Sequence, residues 1–105
     1  MLTASWKDQV RYAADKMQKT GLFDTPRFFC DVYGFEPGQT QKPHAHAGSD
    51  KVYFVLEGRA LVRVGDEELE LAAGQSALAP AGSDHGVTNP GPARLAMLVF
   101  MAPKP

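Results

Sequence analysis

The sequence predicts an all-β fold, a sandwich or barrel of antiparallel strands, and two observations carry that expectation. Ten glycines and eight prolines are spread through 105 residues, which implies many turns and short strands rather than long helices. Between the turns lie short apolar, aromatic and β-branched runs with no recurring helix to separate them, so βαβ units are excluded.

Residues 1–21 admit two readings. From Ser5 to Lys19, the residues Val10, Ala13, Ala14 and Met17 recur at helical spacing, with Ser5 or Thr3 as N-cap and Gly21 as a stop. Val10, Tyr12 and Ala14 also permit a strand-like alternation. A short N-terminal helix is expected, or else an extended arm that crosses to a neighbouring subunit, with the barrel core running from about residue 22 to 102. The aromatic and β-branched run Arg27 to Phe35, closed by Glu36-Pro37-Gly38, reads as strand then turn. Gln39 to His46 is the next strand, followed by a turn at Ala47-Gly48-Ser49-Asp50. Val52 to Leu56 is apolar at every position, so both of its faces are expected to be buried. Ala60 to Val64 and Glu68 to Leu71 form a hairpin across Gly65-Asp66-Glu67. The strands Gln75 to Ala79, His85 to Asn89 and Ala93 to Met101 complete the series. With no linker and no low-complexity segment, residues 1–105 read as one domain.

Charge and composition narrow the class of partner. The 11 Lys and Arg residues nearly balance 12 Asp and Glu, for a net charge of -1, and no basic run marks a surface that tracks phosphates. Nucleic acid and anionic membrane are therefore not expected as partners. Cys30 is the only cysteine, so no disulfide forms within the chain, and a reducing compartment suits it. Met1 to Asp8 lacks the apolar core of a signal peptide, and the longest apolar run, Leu95 to Ala102, is too short to cross a bilayer. A soluble, cytoplasmic protein is expected. The strands Val52 to Leu56 and Leu95 to Met101, apolar on both faces, would leave a large patch exposed on a monomer, so a homodimer is expected too.

The residues that carry chemistry are the three histidines. His44 and His46 are two apart on a strand, so their imidazoles face the same way. The third, His85, follows the turn Pro80-Ala81-Gly82-Ser83-Asp84, which could deliver it to the same point. Three neutral imidazoles suit a divalent transition metal ion such as iron, zinc, nickel, manganese or copper. The competing reading is three surface histidines beside turns.

Spacing sharpens this. Gly38, five residues, His44, one residue, His46, four residues, Lys51, six residues and Gly58 form one row; Gly74, five residues, Pro80, one residue, Gly82, two residues, His85, three residues and Asn89 form another. These rows resemble the two signature motifs of the cupin family, small jelly-roll barrels (double-stranded β-helices) that typically hold a metal inside the barrel. The resemblance implies metal ligands at His44, His46 and His85. It departs from the family pattern at Lys51, where glutamate is usual, and three outcomes follow: the lysine turns outward, the favoured expectation; it stays nearby and favours an anionic ligand; or a one-residue register shift turns Asp50 inward instead. Asn89 is expected to share a face with His85 and Val87, and either to bond backbone at the strand end or to be simply a polar strand terminus. Tyr53 and Val55 are expected to line the wall beyond Lys51; Phe28, Cys30, Leu95, Met97 and Val99 are further candidates, with core packing the favoured reading for each.

In function, the resemblance implies a metal-dependent enzyme, of oxygenase or isomerase type, acting on a small organic molecule with one polar or anionic group. The alternative is a non-catalytic binding or sensor barrel, with or without metal. No catalytic residue beyond the ligands is assigned, and the missing carboxylate at position 51 leaves the choice open.

Overall fold

A computed structural model describes residues 1–105. It contains one helical turn, α1 (Trp6–Gln9), and nine strands: β1 (Gln18–Asp24), β2 (Phe29–Phe35), β3 (Thr40–His44), β4 (Asp50–Glu57), β5 (Arg59–Val64), β6 (Glu67–Ala72), β7 (Ser76–Ala79), β8 (His85–Thr88) and β9 (Leu95–Ala102). All pairings are antiparallel, in a five-stranded sheet of order β1-β2-β9-β4-β7 and a four-stranded sheet of order β3-β8-β5-β6. The result is a jelly-roll barrel, as the sequence predicts. No helix is long and apolar enough to cross a membrane.

The core lies between the inner faces of the two sheets. Tyr33, Phe35, Tyr53, Val55, Leu95, Met97 and Val99 from the larger sheet meet Ala60, Val62, Leu71 and Val87 from the smaller one, all buried. Each pair of residues two apart, such as Tyr53 and Val55 or Met97 and Val99, obeys the strand period. Burying a side chain of this size stabilises the fold by about 1.5–3 kcal/mol.

The two histidine-bearing segments are joined at both ends. Gly38 N–H donates to the Asn89 carbonyl at 2.8 Å and Asn89 N–H to the Gln39 carbonyl at 2.9 Å. The Asn89 side chain, buried, donates to the carbonyls of Phe35 and Ala93 and accepts from Gly91 N–H, which is the backbone role expected of it.

Several expectations need correction. The N-terminal helix is confined to Trp6–Gln9, and the chain from Val10 runs extended over the outer face of its own sheet. There Gly34 leaves room for the Arg11 backbone, since a Cβ would collide with the Arg11 carbonyl, and Gln39 Nε2 donates to the Ala13 carbonyl at 2.7 Å. These tertiary contacts outweigh a helical propensity that residues 10–17 hold only weakly. Gly21 is not a helix stop but lies within β1, so the barrel begins at Gln18 rather than near 22. The hairpin loop is shorter than expected, because Val64 pairs with Glu67 and only Gly65 and Asp66 lie between, with Gly65 at φ +58°. Finally, β4 alternates: Val52 and Leu56 are half-buried and Phe54 is 37% exposed.

Candidate metal centre

Strand register sets up the site. On the inner face of the smaller sheet, His44 pairs with His85, His85 with Val64, and Val64 with Glu67, a single row across four strands. The adjacent row is Gln41, Val87, Val62 and Leu69. Gln41 and His44 are three apart and would fall on opposite faces of a regular strand. A bulge between them restores the same face to both. Gly86 permits it, since a Cβ there would lie only 2.8 Å from the Gln41 carbonyl and 3.0 Å from Pro43 N.

The three histidines converge, but His44 and His46 do not share one strand as expected: β3 ends at His44, and His46 follows it in the connection to β4. The ring centroids of His44 and His85 are 4.4 Å apart, those of His44 and His46 5.0 Å, and those of His46 and His85 5.7 Å. One ligating nitrogen from each lies within 4.8 Å of the others. His44 Nδ1 lies 2.9 Å from the Lys42 carbonyl and His85 Nδ1 3.0 Å from the Ser83 carbonyl. Since a carbonyl only accepts, each Nδ1 carries a proton, which leaves Nε2 as the atom able to ligate. His85 Nε2 is buried and has no hydrogen-bond partner. A buried polar atom normally finds one. Burial, and then the charge of Lys51, lower the pKa of His85 to about 4, so its ring is neutral at physiological pH. Burial lowers that of His46 as well. Three clustered imidazoles, two with Nδ1 tied to a backbone carbonyl and one with an unpartnered buried Nε2, make a donor set that fits a transition metal ion.

Lys51 does not turn outward. It is 1% exposed, on the inner face of β4 in line with Tyr53 and Val55, whose place in the core holds the register. Asp50 stays outside, where its Oδ1 accepts from Ala81 N–H at 2.9 Å. Lys51 Nζ sits 5.5 Å from the ring centroid of Tyr33 and 5.1 Å from that of Tyr53, between two aromatic faces that attract a cation. It forms no ion pair. Burial, and then Lys19, lower its pKa from 10.5 to about 8.

Three further polar residues in the lumen were not singled out by the sequence reading. Asp31 lies on the inner face of β2, paired with Val99 and Gly21. It is half-buried, and burial raises its pKa against the pull of Lys19. Tyr33 is its neighbour on that face, its phenol pushed up to about 12 by burial. Gln41 is 8% exposed; its Oε1 accepts from the Tyr53 hydroxyl at 3.4 Å, and its Nε2 has no partner. An acid in an otherwise apolar run marks Asp31 even in sequence, whereas Gln41 is hidden by the bulge. Of the expected wall residues, Tyr53, Val55, Leu95, Met97 and Val99 lie on the inner face, fully buried in the core, so Leu95, Met97 and Val99 follow the core-packing reading. Cys30 and Phe28 do not lie on that face: Cys30 pairs with Phe100 on the outer face, and the Phe28 ring packs on that of Phe100 at 5.0 Å between centroids.

The family model for the cupin domain matches residues 31–101. The chain belongs to the cupin family. The crystal structure of TT1209 from Thermus thermophilus is 48% identical, with a TM-score of 0.97 and full coverage of both chains. A double-stranded β-helix protein from Klebsiella pneumoniae is 26% identical at a TM-score of 0.90, over 96% of this cupin and 89% of that chain. Tetracenomycin polyketide synthase protein TcmJ of Streptomyces glaucescens is 35% identical over 72 residues, 66% of this chain and 48% of that protein. The chain spans about half the length of the curated relatives it matches.

Proposed function

We propose that this cupin binds a divalent transition metal ion through His44, His46 and His85, and acts as a metal-dependent enzyme of oxygenase or isomerase type on a small organic anion. The observation that carries this is His85 Nε2, buried without a hydrogen-bond partner on a ring clustered with two other imidazoles. Iron, zinc, nickel, manganese and copper all suit three nitrogen donors. Such an ion supplies a Lewis-acid centre with positions open to a ligand.

The chain's own residues explain the preference for an anion. Three neutral imidazoles cancel none of a divalent ion's charge, and the lumen adds Lys51 where a carboxylate is usual. Lys51 attracts an acidic group, and Gln41 Nε2 offers it a hydrogen bond. Asp31, its carboxyl half-buried and free of hydrogen bonds, is the residue able to hold or move a proton. The name of TcmJ, a polyketide synthase protein, supports a small organic ligand. A second reading, a binding or sensor barrel without catalysis, is favoured by the lysine at position 51. The proposal extends to a homodimer and a cytoplasmic location.

Elemental analysis of protein purified without a metal-affinity tag tests the ion; about one equivalent is expected. Calorimetric titration of an acid and its matched amide tests the anion. Tighter binding of the acid, lost on removing the metal, is expected; equal affinities would contradict it.

A further inference from the structure

We infer that the ligand of this centre has an apolar body, and that this body lies in the open seam between β6 and β7. The inference rests on the metal-centre reading. β6 and β7 are edge strands of different sheets, and nothing pairs them. The gap is a cleft of about 310 Å³, with Val62, Val64, Leu69, Leu71 and Ala77 among its lining residues and Glu67 at its rim. That volume is at the lower end of the range for small-molecule sites.

Register places one wall of this cleft beside His85, although no histidine lines it. Val64 is the direct cross-strand neighbour of His85 on the inner face, and Glu67 is the next residue in that row. Two strand spacings, about 10 Å, separate the His85 and Glu67 positions. Leu69, on the inward side of β6 opposite Val62, is nevertheless 65% exposed, because no strand closes over it. A molecule with its polar end at the histidines and its chain along Val64 would cover that leucine. Glu67 at the far end repels a second carboxylate, so the ligand carries one acidic end and one apolar end.

Straight-chain hydroxamic acids of two to eight carbons, titrated into the zinc-loaded protein, test this. Affinity should rise about threefold to fourfold per methylene until the cleft is filled. Leu69→Glu, at an exposed edge position, should abolish the rise, whereas Leu69→Met should keep it. A flat series with normal binding of acetohydroxamic acid would overturn the seam assignment and leave the metal centre standing, as would a rise that Leu69→Glu does not change. Failure of acetohydroxamic acid itself to bind would overturn both.

Discussion

The Gly82 amide donates to the His46 carbonyl at 2.8 Å, so the turn that precedes His85 is tied directly to the segment carrying the other two histidines. Gly82 holds φ +84°, a conformation open to glycine at little cost. Gly82→Ala should therefore cost about 1–2 kcal/mol of stability and also weaken metal binding. Gly74→Ala, at φ +88° and bonded instead to the Val55 carbonyl, is the control. Thermal unfolding and chelator competition should show similar losses of stability for both variants, with metal affinity reduced only for Gly82→Ala.

Lys51 makes stability depend on pH in a window of its own. Its folded pKa of about 8 lies below the ordinary 10.5, so between these values the unfolded chain binds more protons than the folded one. Stability then rises with pH from about 8 toward 10.5, and the cost of burying the charged amine is felt in full below 8. Lys51→Met should flatten this rise and raise stability at pH 7. Urea unfolding of both proteins from about pH 7 to 10 checks it, and parallel profiles would refute it.

The same lysine opposes a cation at the histidines. Lys51→Met should bind metal somewhat more tightly than wild type, and Lys51→Glu more tightly still, since a carboxylate adds both charge and a ligand. Lys51→Glu should at the same time weaken binding of a small carboxylate. Chelator competition and acid titration measure the two effects, and movement of both in one direction would count against the electrostatic account.

Much of this was legible in the sequence because β periodicity and turn chemistry act locally. The strands from Phe29 onward follow from spacing, and the meeting of the three histidines matches what the cupin resemblance implies. What was not legible depends on tertiary contacts. Lys51 was expected outside because an ammonium cannot ligate a metal and a cation close to a divalent ion is costly, yet Tyr33 and Tyr53 offer it their faces and the core needs Tyr53 and Val55 inward. Gln41 required a bulge that parity cannot reveal. β1 is an edge strand, and Gln18-Lys19-Thr20-Gly21 carries no apolar alternation to announce it.

On the outer face of the larger sheet, Val52 pairs with Phe100 and Leu78, and Phe54 with Leu98. Phe54 and Phe100 are 37% exposed and Leu78 56%. A second copy covering this face would form the proposed homodimer. Sedimentation should give twice the 11.4 kDa chain mass, reduced to the monomer by Phe100→Glu. A monomeric wild type at micromolar concentration would rule the dimer out.

The central claim is that His44, His46 and His85 form one metal centre. Calorimetric titration of Zn²⁺ into metal-free protein, for wild type and the three single His→Ala variants, tests it most directly. One equivalent should bind to wild type, and each variant should lose more affinity than the roughly 10–100-fold typical of losing a ligand's supporting partner. Wild-type affinity in His85→Ala, or no binding to wild type at all, would contradict it.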